Sequence, residues 1–286
     1  MAERLRVAYV MPVHRDPAQV SRLIHRLAVP GTAFVIHVDS KSGAAVEDPL
    51  REAVADVENI HFVESRPIHW AHFSIVDAIL RCLAALREHG LDPDQAVTTT
   101  GQDYPVAPPE TIAARLSAAA DRSFIQHSKL PNYDWWPNDR GGLDRFERVY
   151  VRLPRRGMTK TPLRRRVPHG WQPYGGAMNL TLGRPHREYV LDLLDRDPRV
   201  RRYFRLTNLP DEGFFQTVLM NSPLRDSEVD DNLLFTRWQP LANHPDTLGV
   251  PDLDEVLASG KLFARKFDLR RDPGVLDELE RRVDGR

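Results

Sequence analysis

Apolar runs alternate with helical patterns over the first hundred residues. One helix is predicted over residues 16–27, where Asp16, Pro17 and Gln19 form an N-terminal capping pattern, and another runs from the capping pattern at 74–77 to Gly90. Four short runs have the length and composition of buried strands: 5–11, 33–38, 60–63 and 96–100. Strands that alternate with helices predict a mostly parallel, Rossmann-like sheet, although the chain lacks G-x-G-x-x-G.

The second half of the chain has weaker periodicity. Helices are predicted over 108–120, 186–195 and 212–221, and a short helix follows the acids at 252–255; strands are predicted over 124–127 and 177–182. Residues 128–170 are rich in Pro, Arg, Gly and Trp and predict a long surface excursion of the kind that often binds substrate. We expect a single domain over 1–286, with a nucleotide-binding half at 1–105 and an acceptor-binding, catalytic half at 106–286.

Composition narrows the class of protein. The chain has 286 residues, 41% hydrophobic and 28% charged, and its forty basic residues balance forty acidic ones. A zero net charge gives no global attraction to nucleic acid or membrane. The one cysteine, Cys82, lies in an apolar helical pattern and excludes an internal disulfide framework. Without an 18-residue apolar run or a signal sequence, we expect a cytoplasmic protein, with peripheral membrane contact left open.

Polar residues follow three predicted strands, at the edge where parallel sheets bind ligands. Val13 follows the first strand, Asp39 the second and Asp103 the fourth. Asp39 is a candidate for uracil or ribose, the alternative being a turn cap. Three Asp-x-Asp triplets occur elsewhere, but none follows a strand, so they do not predict a metal site. One carboxylate at Asp103 is a poor metal site. Phosphate charge would then fall to Arg265 and Lys266, which lie between aromatic residues.

Two acids, Asp211 and Glu212, follow Pro210 ahead of an apolar helix pattern. Asp211 suits the N-cap, which leaves Glu212 to face a cleft. Apolar walls there would raise the pKa of Glu212 and suit it to act as a general base. Spacing alone favours the alternative, in which both acids only complement the helix dipole.

The excursion itself carries two candidate acceptor features. Trp135, Trp136 and Trp171 are expected either to stack on sugar rings or to pack in the core. Residues 152–166 hold seven Lys and Arg. Such a run is usually a solvated loop, and the alternative is a grip on an anionic acceptor.

The chain resembles the core-2/I-branching β-1,6-N-acetylglucosaminyltransferases, a family (glycosyltransferase family 14) that includes the peptide O-xylosyltransferases. The similarity covers most of the chain, and its order and spacing suit a compact bacterial member without the membrane anchor and cysteine pairs of the animal enzymes. It is carried by Ala8-Tyr9, His37-Val38-Asp39-Ser40-Lys41, Trp70-x-x-x-Ser74, Gly101-Gln102-Asp103-Tyr104-Pro105, Gly175-Gly176-Ala177-Met178-Asn179, Pro210-Asp211-Glu212-x-x-Phe215, Arg237-Trp238 and 262–268.

The resemblance implies a GT-A fold, inversion at the anomeric carbon and catalysis without a metal or other cofactor. By matching motif, Glu212 is the base, Lys266 holds the leaving diphosphate, Asp39 and Val13 hold uridine, and Asp103 lies near the donor sugar. We also assign Asp211 to acceptor binding.

The sequence departs from the family's pattern at two places. The family's second diphosphate-binding arginine has no clear counterpart: Asn243-His244 stands near its place, with Arg237 and Arg265 as rivals. The aromatic residue usual after the glycine pair is absent at 177–179. The missing aromatic residue leaves the donor-sugar and acceptor preferences open.

The leading hypothesis is therefore an inverting, metal-independent glycosyltransferase. It would move GlcNAc or xylose from a UDP-sugar to a carbohydrate or other hydroxyl acceptor. A second hypothesis is a metal-dependent transferase that uses Asp103. The third is a non-enzymatic protein whose basic loop binds an anionic surface or nucleic acid. Zero net charge disfavours the third, and no nucleic-acid partner is expected.

Overall fold

A seven-stranded sheet organises the fold in the computed structural model, which describes residues 5–239 and 244–285. Its strand order is β12-β6-β11-β4-β1-β2-β3, and β11 alone runs antiparallel to both of its neighbours. The mostly parallel α/β fold is thus confirmed. The strands are β1 (Val7–Val13), β2 (Thr32–Val38), β3 (Ile60–Phe62), β4 (Gln95–Thr98), β5 (Tyr104–Pro105), β6 (Ser123–Ile125), β7 (Ser128–Lys129), β8 (Arg148–Leu153), β9 (Gly157–Arg164), β10 (Tyr174–Gly175), β11 (Leu180–Gly183), β12 (Glu228–Val229), β13 (Leu234–Thr236) and β14 (Phe263–Arg265).

β1 and β2 are buried along their whole length, because helices cover both faces of the sheet. Successive side chains of a strand point to opposite faces. Tyr9 joins the cluster that contains α1, and Val10 joins the one that contains α3. The helices are α1 (Pro17–Leu27), α2 (Ala44–Ala53), α3 (Ser74–Glu88), α4 (Pro109–Ser117), α5 (Asp144–Glu147), α6 (Arg184–Arg196), α7 (Pro198–Phe204), α8 (Phe214–Met220), α9 (Leu253–Ala258) and α10 (Val275–Val283).

The start of α1 corrects the predicted capping pattern. Asp16 makes no side-chain cap bond, and the amide of Gln19 donates across the fold to the carbonyls of Gly101 at 2.6 Å and Phe267 at 3.0 Å. Gln19 Oε1 also accepts the N–H of Leu269 at 3.0 Å. Buried backbone groups need partners more than an exposed helix end does. Gln19 therefore ties the loops after β1, β4 and β14 together.

The start of α3 corrects the second capping pattern. Ser74 does not cap the helix, because its hydroxyl accepts the N–H of His69 at 2.8 Å. That bond shapes the turn between β3 and α3.

The excursion at 128–170 is more regular than its sequence predicts. It contains α5 and an antiparallel hairpin of β8 and β9, in which Leu153 pairs with Gly157. The hairpin is largely exposed, so it lacks the apolar alternation that marks a half-buried strand.

Two further observations concern the whole described chain. Strands from both predicted halves contribute to the central sheet: β1–β4 come from the first and β6, β11 and β12 from the second. Among the helices of residues 5–239 and 244–285, none has the length and apolar composition to cross a bilayer.

Candidate functional site

Asp39 lies at the carboxyl end of β2 and is almost wholly buried. Its Oδ1 accepts the N–H groups of Lys41 at 3.0 Å and Ile68 at 3.1 Å, and the Lys41 ammonium lies 3.4 Å from Oδ2. Its own N–H donates to the carbonyl of Val13 at 2.7 Å. Asp39 therefore fixes the β2 turn and the segment before α3. Uridine binding by Asp39 and Val13 stays a prediction.

Asp103 follows β4 and is only 1% exposed. Its Oδ2 accepts from Thr100 N at 2.8 Å and from Asn179 Nδ2 at 3.0 Å, and Arg265 Nε lies 3.2 Å from Oδ1. Arg265 also donates to Asn179 Oδ1. Asp103 and Arg265 thus compensate each other's charge. No cluster of three or more metal-ligating His, Cys, Asp or Glu side chains occurs in the described parts of the chain.

Lys266 follows Arg265 and is half-buried, yet its ammonium has no hydrogen bond or ion pair within 5–239 and 244–285. Burial, and then the charges of Arg265 and Arg15, hold the pKa of Lys266 below its usual value. A half-buried cation without a counterion is a ready anion-binding group. Arg15, two residues after Val13, was not predicted as a site residue; its Nε lies 3.2 Å from Asp16 Oδ2.

The other predicted donor cations have different surroundings. Arg237 is surrounded by acids: its guanidinium lies 3.0 Å from Asp246, 2.7 Å from Asp252 and 3.3 Å from Glu255. The exposed His244 has Nδ1 3.3 Å from the carbonyl of Pro245, and Asn243 is outside the described residues. Of the predicted cations, Lys266 is therefore the one whose charge is least compensated.

The two acids after Pro210 lie on a single 3-10 turn ahead of α8, and they differ sharply. Glu212 is 32% exposed; its Oε2 accepts from Arg145 Nη1 at 2.6 Å, and Oε1 has no protein partner in the described chain. Asp211 Oδ1 is enclosed without a hydrogen-bond partner in the part of the chain that the structure describes. Desolvation, followed by the charge of the neighbouring Glu212, raises the pKa of Asp211 to about 7. Asp211 makes no N-cap bond to α8. Desolvation on this turn thus acts on Asp211, and the role of Glu212 as general base stays a prediction.

Close backbone packing holds the turn of Glu212 in place. The carbonyl of Glu212 accepts the N–H of Gly176 at 2.9 Å. A Cβ at Gly176 would lie 1.8 Å from the carbonyl oxygen of Gln126, and one at Gly213 would lie 2.6 Å from the Phe146 ring. Only glycine fits at either position, so Gly176 and Gly213 allow neighbouring groups to pack closely against the turn that carries Glu212.

A third segment reaches the same place and was not predicted. Leu209 N donates to the carbonyl of Ala71 at 3.0 Å, so the turn before α3 is bonded to the turn that carries Glu212. The preceding residue, Trp70, is 82% exposed. An exposed indole offers a flat apolar face to a sugar ring. In the sequence, Trp70 belonged to one of the motifs behind the family resemblance, Trp70-x-x-x-Ser74, and was not assigned a role in the site.

The predicted acceptor tryptophans have three different settings. Trp136 packs so closely on Gly175 that a Cβ there would lie 2.4 Å from its ring, and the Arg145 guanidinium lies 5.1 Å from that ring. Trp135 is 43% exposed. Trp171 packs against the core, with its ring 4.9 Å from His169. Trp136 therefore supports the partner of Glu212, whereas Trp135 faces solvent.

A model of one enzyme family, Core-2/I-Branching enzyme, matches residues 7–258. The chain belongs to this family. Among the relatives of this Core-2/I-Branching family member, xylosyltransferase 2 of Rattus norvegicus is 32% identical over 82% of this chain and 27% of its own length. Beta-glucuronosyltransferase GlcAT14A of Arabidopsis thaliana is 26% identical over 93% of this chain and 61% of its own length.

This Core-2/I-Branching family member thus spans about a quarter of the animal relative's length and about three fifths of the plant one's. A solved apo structure of the bifunctional glycosyltransferase WbbM covers 93% of this chain and 46% of its own, at 10% identity and a TM-score of 0.40. The assignment to the family rests on the sequence comparisons.

Proposed function

We propose that the chain is an inverting, metal-independent glycosyltransferase that moves a sugar from a UDP-sugar to an acceptor hydroxyl. The observation that carries the proposal is a hydrogen-bonded route across the site. Ile68 donates to Asp39, and Ala71, three residues on, accepts from Leu209, three residues before Glu212. This route connects the turn that carries Glu212 to the carboxyl end of β2, and α/β proteins bind nucleotides at the carboxyl ends of their strands.

The proposed reaction is a single displacement. The acceptor oxygen attacks the anomeric carbon from the face opposite the diphosphate, forming the new C–O bond as the bond from the anomeric carbon to the phosphate oxygen breaks. The electron pair leaves with the UDP, and the hydroxyl proton goes to Glu212. Oε1 of Glu212 can take the proton, because Arg145 bonds Oε2 and no described residue bonds Oε1. Lys266 stabilises the charge that develops on the departing diphosphate.

The relatives' names differ in the sugar, since one is a xylosyltransferase and the other a glucuronosyltransferase. We propose GlcNAc or xylose as the sugar and Trp70 as the residue that lies against a sugar ring. The charge balance around Asp103 favours metal independence, because Arg265 and Asn179 occupy its carboxylate oxygens.

The test is a screen of UDP-sugars for a rise in melting temperature, because a ligand that binds only the native state stabilises it. Positive donors are then assayed for transfer with and without excess EDTA, and the anomeric configuration of the product is read by NMR. The proposal expects unchanged activity in EDTA and an inverted anomer. Loss of activity in EDTA with rescue by Mn²⁺ would overturn metal independence, and a retained configuration would overturn the single displacement.

A further inference from the structure

The hairpin of β8 and β9 forms a basic surface that carries exposed leucines. We call it the hairpin surface, and it comprises Arg152, Leu153, Arg155, Arg156, Leu163, Arg164 and Arg166, with Leu206 after α7. The two segments meet through a backbone bond in which Tyr150 N donates to Leu206 O at 2.9 Å. Strand pairing and this bond hold together the segments that carry these side chains.

The positive charge of this surface is uncompensated. Its five arginines are exposed, and none has an ion pair in the part of the chain that the structure describes. The neighbouring acids are already engaged: Lys160 lies 3.0 Å from Asp144, and Arg140 lies 2.7 Å from Glu147. Because the whole chain has a net charge of zero, attraction to an anion here must come from this local excess.

The leucines separate this surface from an ordinary solvated loop. Leu163 is 63% exposed, Leu206 39% and Leu153 37%. A single exposed leucine is unremarkable in a soluble protein. Three of them among five unpaired arginines combine apolar side chains with basic ones, which is the composition of surfaces that lie in the headgroup region of an anionic bilayer.

The surface borders the candidate active site. His69 and His72 flank Trp70 and Ala71, and their pKa values are lowered mainly by burial. The charge of Arg152 lowers both pKa values further, so Arg152 lies near this segment. Arg145, the partner of Glu212, belongs to α5, which runs directly into β8. A bilayer against the hairpin surface would therefore lie beside the entrance to the site.

We propose that the hairpin surface docks on an anionic lipid bilayer, with the arginines at the phosphates and the leucines in the headgroup layer. Nucleic acid and soluble polyanions would use the arginines alone, so the leucines favour a bilayer. The inference does not depend on the proposed reaction. If both hold, the acceptor hydroxyl is presented at a membrane surface.

The test is co-flotation of the full chain with vesicles at ~0.15 M salt, where charges are screened beyond about 8 Å. We expect binding to vesicles of phosphatidylcholine with 30% phosphatidylglycerol and little binding to phosphatidylcholine alone. Each basic residue near the surface contributes about fivefold, so the triple change Arg152→Gln, Arg155→Gln and Arg156→Gln should weaken binding roughly a hundredfold. The control triple, Arg115→Gln, Arg122→Gln and Arg225→Gln, removes the same charge elsewhere and should change vesicle binding little.

A second variant and a second probe separate the partners. Leu153→Ser with Leu163→Ser should weaken vesicle binding but leave retention on heparin or DNA unchanged. Since Cys82 is buried, Leu163→Cys can be labelled selectively with an environment-sensitive dye, whose emission should shift to the blue with anionic vesicles. Ala118→Cys is the labelled control. Absence of vesicle binding, equal loss in both arginine triples, or polyanion binding without the blue shift would overturn the proposal.

Discussion

The two sides of the candidate site treat their carboxylates differently. At the ends of β2 and β4, Asp39 and Asp103 are buried, and their oxygens accept backbone and side-chain hydrogen bonds or face a cation. At the turn before α8, Glu212 is partly exposed, and one of its oxygens has no partner among the described residues; the same holds for an enclosed oxygen of its neighbour Asp211. Carboxylates that accept backbone hydrogen bonds or face a cation hold loops in position, whereas a carboxylate oxygen without a partner remains available to a substrate.

The cations divide in the same way. Arg237 and Arg265 face acids, while Lys266 has no counterion among the described residues. Among these groups, Lys266 has an uncompensated charge, and Glu212 has one carboxylate oxygen, Oε1, without a partner in the described chain. Substitutions at groups with and without partners test whether this difference matters for function.

The largest effect is expected at Glu212. Glu212→Gln keeps the shape and the bond acceptor for Arg145 but removes the basic oxygen, so transfer should fall ~10²–10⁴-fold with UDP affinity unchanged. Initial rates with saturating acceptor and calorimetric UDP binding measure the two quantities. Glu147→Gln is the matched control, because the Glu147 carboxylate is paired with Arg140 and makes no bond to Arg145 or Glu212 in the described chain. A loss below about tenfold for Glu212→Gln, with the fold intact, would place the base elsewhere.

The next effect is expected at Lys266. Lys266→Ala should weaken UDP binding about 10- to 100-fold, which is the range of one charge-assisted hydrogen bond, and leave uridine binding unchanged. Arg237→Gln is the control: because its charge is already compensated by three acids, its UDP affinity should stay within about twofold of wild type. If Arg237→Gln had the larger effect, the comparison of paired and unpaired cations would fail.

The strongly patterned elements were predictable because burial imposes a period. β1, α1, β2 and α3 bury whole strands or one helical stripe, and each was found close to its observed bounds. The helix α2 was missed, since among its residues Leu50 alone is buried. The hairpin was missed for the same reason, because an exposed strand needs no alternation.

For the site, residue patterns offered Glu212 and the pair Arg265 and Lys266 as candidates, and the resemblance gave Glu212 and Lys266 their roles, which stay predictions. Arg145 is 67 residues from Glu212 in sequence, and no local pattern joins them. The sequence did not show that the charge of Arg237 is compensated, because Asp246, Asp252 and Glu255 come together around it only in the fold.

Asp211 should make stability depend on pH. Its pKa of about 7 lies above the ordinary value of 3.8, so the folded state holds a proton that the unfolded chain releases. This contribution is complete below about pH 4 and is lost as the pH rises to about 7. Asp211→Asn should therefore stabilise the protein at pH 8, by on the order of 2 kcal/mol allowing for partial solvent access, and much less at pH 4.

Urea unfolding of wild type and Asp211→Asn at both pH values measures the difference. Asp226→Asn is the control, since Asp226 is 92% exposed and contacts Arg225 at the surface. An equal effect of Asp211→Asn at pH 4 and pH 8 would show that Asp211 is ionised throughout. The acid pair would then not divide into one desolvated and one available carboxyl.

The smallest effect is expected at Trp135, and it tests how far the available groups extend beyond Glu212. Trp135 is exposed and its removal leaves the packing under Arg145 in place, so Trp135→Ala should raise the acceptor KM about two- to fivefold, the range of one aromatic contact, at constant stability.

Trp136→Ala is its counterpart. It removes the ring that packs on Gly175 and lies under Arg145, so it should cost about 2 kcal/mol or more of stability and lower kcat. Acceptor titrations and thermal unfolding of both variants separate the roles. If Trp135→Ala lowered donor hydrolysis as steeply as transfer, the exposed ring would act on the donor, and acceptor selection would fall to Trp70 or the hairpin surface.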